Sequence, residues 1–121
     1  MMVFNKKISY AIILLFVMSN TVNAAEKCDN KAEKCSNLTC VRNCIDSIDS
    51  QIVTLIGKRL AYVKRAGEIK NGTIPIHDQK RENQILKKVC LLAEKQGYSG
   101  DIAKSIYKTI LEQSNYYELR H

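Results

Sequence analysis

The spacing of apolar residues divides the chain into four stretches. The first, Ile8 to Val17, is almost continuously apolar (Ile12, Ile13, Leu14, Leu15, Phe16, Val17). It is about half the roughly 20 residues needed to span a bilayer. From about Thr39 to Lys70 the apolar residues recur at helical intervals: Ile45, Ile48, Ile52, Leu55, Ile56, Val63, Ala66 and Ile69. That pattern predicts one long helix, near 45 Å at about 1.5 Å per residue. Gly57 weakens it locally by about 1 kcal/mol, Asn71-Gly72 ends it, and Pro75 follows. A second helix is predicted from about Asp78 to Gln96, with Ile85, Leu86, Val89, Leu92 and Ala93 inward and Gly97 as its stop. A third starts near Ser99 or Asp101 and runs to about Leu119, with Ile102, Ile106, Ile110, Ser114 and Tyr117 on its inner stripe. No segment reads as a strand, and no repeat is visible. The expected fold class is all-α, a three-helix subunit with a long first helix. Two shorter helices cannot cover the long one in a compact monomer. Its excess apolar face calls for another chain, so a dimer with paired long helices is expected.

The N-terminal run changes the domain reading. Lys6 and Lys7 precede it, and Val22-Asn23-Ala24 places small residues where a signal peptidase reads. This predicts a secretory signal over 1–24, cleaved after Ala24. A retained anchor is the alternative. Lipid attachment is disfavoured, because Lys27 rather than a small residue precedes Cys28. A Cys-rich lead-in over 25–38 and a helical domain over 39–121 follow, in a periplasmic or secreted protein free of the membrane after cleavage. Loss of Lys6 and Lys7 lowers the net charge from +7 to +5, which suits an anionic ligand. With no Trp, no Arg-rich run and no basic patch interleaved with aromatics, a nucleic-acid partner is not expected.

All five cysteines (Cys28, Cys35, Cys40, Cys44, Cys90) lie after the signal. Export favours disulfides. The spacing lacks the paired C-x₂-C of zinc ribbons, so no metal site is expected. One bridge should tie the lead-in to the helical body, with Cys90 a candidate partner, and the odd count leaves one thiol free or paired between subunits. His77 and His121 sit in a loop and at the terminus, with no sign of a triad.

The cations of the first helix carry the candidate chemistry. Arg59 and Lys70 are eleven positions apart, within about 20° of one face and about 16 Å apart along the axis. Long side chains from these positions can converge on one small anion; the plainer alternative, for Arg42 as well, is that these are ordinary solvated charges. Arg42 precedes Arg59 by seventeen positions, about 25 Å away and about 100° around. It cannot reach the same ligand within one chain, but can reach a partner's. In the third helix Ile106, Ile110, Ser114 and Glu118 form a ladder that begins apolar and ends polar. A polar residue on a core-facing stripe needs a partner or a cavity; the plainer alternative is that Glu118 is simply wet near a frayed end. Asp78, Arg81 and Glu82 open the second helix, where Asp78 can be an N-cap and acids favour the helix dipole.

Taken in order, Arg42, Ile45-Asp46-Ser47-Ile48-Asp49, Arg59, Lys70, Asp78-Gln79-Lys80-Arg81-Glu82, Ser114 and Glu118 resemble the helical chorismate mutases, over residues 40–119. The resemblance implies an intertwined homodimer whose sites mix residues of both chains. It implies chorismate as a dianionic substrate, rearranged to prephenate without cofactor, metal or nucleophile, a step of aromatic amino acid biosynthesis in the shikimate pathway. Arg42 of one chain and Arg59 of the other would grip the two carboxylates, and Lys70 a carboxylate and the ether oxygen. Arg81 and Ser114 would assist carboxylate binding, and Asp78 and Glu82 would address the ring hydroxyl. Arg59, Lys70 and Glu118 are the expected catalytic residues. Glu118 departs from the bacterial pattern, which usually has Gln there. A carboxylate facing the ether oxygen would repel the growing charge, whereas a carboxylic acid would donate to it.

Two rivals follow. An isochorismate pyruvate lyase, forming salicylate, uses the same cations and resembles the Tyr62-Val63-Lys64 segment; Glu82 favours the mutase, because the lyases lack that acid. A non-enzymatic, disulfide-stapled secreted protein would tolerate Arg59→Lys. Asn37-Leu38-Thr39 and Asn71-Gly72-Thr73 are sequons, meaningful only in a eukaryotic secretory route.

Overall fold

A computed structural model describes Cys28 and residues 32–121; the expected signal sequence lies outside the described residues. Three α-helices follow one another: α1 (Leu38–Lys70), α2 (Gln79–Lys95) and α3 (Gly100–Arg120), with a 3-10 turn at Ala32–Lys34 ahead of them. Among the described residues there is no strand, and no helix is long and apolar enough to cross a membrane. The chain is all-α, and its helix limits lie within one residue of those expected from the spacing.

Local chemistry sets those limits. Asn37 accepts the Cys40 N–H at 2.9 Å at the start of α1. Asp78 caps α2, its Oδ1 accepting the Arg81 N–H at 2.9 Å. Ser99 caps α3 by accepting from the Asp101 N–H at 3.2 Å. Gly97, at φ 84°, closes α2: its N–H donates to the Glu94 carbonyl, and the Tyr98 N–H reaches back to Ala93. This is a Schellman closure, which places a left-handed residue where glycine carries no Cβ penalty.

The described residues divide into two units within α1, one extending to Ile52 and the other running from Val53 to His121. In the first unit, Cys28 bonds to Cys44 and Cys35 to Cys40. The tie from lead-in to helical body is thus Cys28–Cys44, landing on α1, and Cys90 is not its partner as the sequence suggested. Cys90 is the free thiol. Its side chain points into the α2–α3 contact, where Sγ donates to the Gly100 carbonyl at 3.3 Å, while the other four cysteines close locally.

In the second unit, α2 and α3 meet over a small core. Val89, Ala93 and Ala103 are buried, with Ile85 and Tyr107 packed against them; Leu111 and Ser114 are buried further along α3. The inner stripe of α3 therefore differs from the expected one. Ile102 and Ile106 are exposed, as is Leu92 of α2. Small residues draw the helices together at Gly100, Ala93 and Ala103, and that close approach turns Ala103 inward and the neighbouring isoleucines out. A Cβ on Gly100 would lie 3.0 Å from Cys90 Cβ and 3.2 Å from its Cα and carbonyl oxygen. Backbone cannot yield as a side-chain tip can. Gly100→Ala is expected to lower stability by about 1–3 kcal/mol, read as a lower urea midpoint by circular dichroism; an unchanged midpoint would show that α2 and α3 separate freely here.

No residue of α1 is buried. Ile45, Ile48, Ile52, Leu55, Ile56 and Ile69 are all exposed, and only Val63, Ala66 and Gly67 of its later turns are half-buried alongside Arg59, Leu60 and Lys70. The apolar face inferred from periodicity exists, and the described residues do not cover it.

Candidate active site

Arg59, Val63, Gly67 and Lys70 follow one another along one face of α1 at intervals of four, four and three residues. On α3, Ser114 and Glu118 stand one turn apart. The two faces meet through polar side chains. Arg59 Nη1 donates to Ser114 Oγ, and that hydroxyl donates in turn to the Ile110 carbonyl at 2.6 Å. Ser114 is buried, so its hydroxyl both fixes the guanidinium and is itself satisfied.

Lys70 Nζ lies 2.8 Å from Glu118 Oε1. The Glu118 side chain is only 6% exposed, so this acid is not wet at a frayed end. The approach is an ion pair without hydrogen-bond alignment: Oε1 is buried with no donor directed at it, and Lys70 donates to the Ile76 carbonyl at 3.3 Å. The cluster therefore holds two cations and one acid, and among the described residues Glu118 Oε1 has the Lys70 charge beside it but no aligned hydrogen-bond donor. A buried carboxyl oxygen in that condition is costly unless a proton or a ligand donor reaches it.

Gly67 makes the approach possible. A Cβ there would fall 2.9 Å from Glu118 Cγ, so any side chain at this position would push Glu118 off Lys70.

The opening of α2 contributes differently. Glu82 Oε1 accepts from Asn115 Nδ2 at 3.0 Å and lies 2.6 Å from His77 Nδ1. Glu82 thus sits on the Asn115 side of α3, beside a cleft of about 460 Å³ lined in part by Ile76, Leu86, Leu111 and Leu119. That volume suits a small molecule, but neither Arg59 nor Lys70 lines it. Asp78 and Arg81 are exposed, and the Asp78 carboxylate caps the Arg81 backbone. Arg42 is exposed in the first unit. Of the residues singled out in the sequence, Arg59, Lys70, Ser114 and Glu118 come together in one cluster, and Glu82 is anchored to the same helix α3. Sequence reasoning missed Gly67, His77 and Asn115. Gly67 had a signal: a glycine on the Arg59–Lys70 face, one turn before Lys70, marks a close approach.

Parts of several known proteins are similar to this chain. The T-protein of Haemophilus influenzae is 33% identical over 75 residues, 61% of this chain, which spans only 20% of that protein. The chorismate mutase of Methanocaldococcus jannaschii is also 33% identical over 75 residues, 61% of this chain and 76% of that protein. The isochorismate pyruvate lyase of Pseudomonas aeruginosa is 30% identical over 79 residues, 65% of this chain and 78% of that protein. A profile of the chorismate mutase type II family matches residues 41–119, well over half the sequence, and the chain belongs to that all-helical enzyme family.

Proposed function

We propose that this chain is an exported, homodimeric chorismate mutase that rearranges chorismate to prephenate. The observation that carries the reading is the meeting of Arg59 and Lys70, eleven residues apart on α1, with Ser114 and Glu118, four apart on α3. A unimolecular Claisen rearrangement needs its substrate held in the chair-like conformer and the charge growing on the breaking ether stabilised. Fixed cations and one proton donor suffice. Arg59, oriented by Ser114, takes one carboxylate. Lys70 addresses a carboxylate and the ether oxygen. Arg42 comes from the partner subunit, whose long helix covers the exposed face of α1. Arg81 assists carboxylate binding, and Asp78 and Glu82 address the ring hydroxyl. Two disulfides suit an oxidising compartment. The direct test is loss of chorismate absorbance with the purified mature protein; no loss above the uncatalysed rate rejects the reading.

Glu118 gives a sharper test. In the resting site the Lys70 ammonium faces it from α1, and Arg59 reaches α3 one turn away at Ser114. With substrate bound, only the carboxylic acid can donate to the ether oxygen. The rate is therefore expected to decline as pH rises, and Glu118→Gln, a donor at every pH, to flatten that decline. Identical profiles for the two proteins would remove Glu118 from the chemistry.

The lyase reading is kept alive by the Pseudomonas aeruginosa relative. Glu82, held by Asn115 and His77, favours the mutase. Assaying prephenate from chorismate against salicylate from isochorismate separates the two.

A further inference from the structure

The disulfides grip the first turns of α1 on one side, and Arg42 stands on the other. Cys40 and Cys44 are about one turn apart, and each lies about 160° around the axis from Arg42. Cys40 is tied to Cys35, and Cys44 to Cys28. Asn37 adds a cap, its side chain accepting the Cys40 N–H at 2.9 Å and its carbonyl the Val41 N–H at 3.3 Å. Packing within the chain adds little, since no residue of α1 is buried and Leu38, Val41, Ile45 and Ile48 are exposed. A helix end with no buried side chain opens readily unless something else holds it. Within one chain covalent tethers hold it, by limiting the alternatives open to the frayed segment, and a partner helix then settles on an end already in place.

We propose that Cys28–Cys44 and Cys35–Cys40 are positioning elements for Arg42, and that their reduction weakens substrate binding. The proposal rests on the mutase reading, in which Arg42 grips a carboxylate in the partner's site. The reductant is a dithiol. For each disulfide it gives up two electrons and two protons, leaves as its own cyclic disulfide, and yields two cysteine thiols. Arg42 is chemically unchanged; its turn of helix loses its tethers. A contact made equally to substrate and transition state then disappears, so the loss falls on KM rather than kcat.

The test compares oxidised and dithiothreitol-treated mature protein. Complete reduction is confirmed by free thiols rising from the single Cys90 to all five cysteines. KM for chorismate is expected to rise about tenfold with kcat little changed, and reoxidation to restore it. In oxidised Arg42→Ala, KM is already raised, and reduction should add less than about twofold. An unmoved KM on full reduction, or an equal rise in Arg42→Ala, overturns the proposal. If even the oxidised protein rearranges no chorismate, the functional reading fails instead. Hydrogen exchange then decides the clamp: faster exchange at Val41 to Ile45 after reduction supports it, and unchanged exchange rejects it.

Discussion

Lys70→Ala is expected to lower kcat/KM about 10³-fold, the upper range for losing one donor aimed at developing charge. The same change should destabilise the fold. Glu118 is 94% buried by side chain when counted from its 6% exposure, and Lys70 is its only ion-pair partner among the described residues. Removing one member of a buried pair leaves an uncompensated charge, at a cost of about 3 kcal/mol. The two effects separate in the double variant. Lys70→Ala with Glu118→Gln should regain most of the lost urea midpoint, because no carboxylate remains to compensate. It should regain none of the activity, because the cation proposed to meet the ether oxygen is still gone. Recovery of activity in the double variant would mean that Lys70 serves only to neutralise Glu118.

Gly67→Ala should disturb the same pair from the α1 side. Alanine in a helix interior is favoured over glycine by about 1 kcal/mol, so α1 itself gains. The new Cβ would lie 2.9 Å from Glu118 Cγ, and Glu118 must move. Displacing a catalytic group by about 1 Å can cost about 10²-fold in rate. The expected protein is less stable than its parent, because parting Glu118 from Lys70 costs about 3 kcal/mol against the helix gain of about 1 kcal/mol, and its kcat/KM is about 10²-fold lower. Circular dichroism melting and the chorismate assay read the two halves. Full activity in this variant would show that Glu118 finds another route to its position.

Helical spacing revealed the three helices because each carries an apolar period long enough to set its limits, and glycine or a capping side chain sits at every end except the last, at Arg120. It also revealed which cations could meet, since eleven residues on a helix return to the same face. The rotation of α3 was not legible. Ile102 and Ile106 are the more apolar residues, yet Ala103 faces the core, because the contact with α2 is decided by how closely Gly100 and Ala93 allow the backbones to approach. The anchoring of Glu82 by Asn115 was hidden for a related reason: the two residues are 33 apart in sequence, and only the packing of α2 on α3 joins them. Four clustered cysteines allow three pairings, and spacing alone does not choose among them.

The uncovered face of α1 ties the protein's durability to its abundance. Whatever settles on Ile45, Ile52 and Ile56 binds the folded helix and not the unfolded chain, so mass action makes melting temperature climb with the supply of that cover. If the cover is a second copy, dilution alone loosens the molecule, and the same dilution withdraws the borrowed arginine from the site.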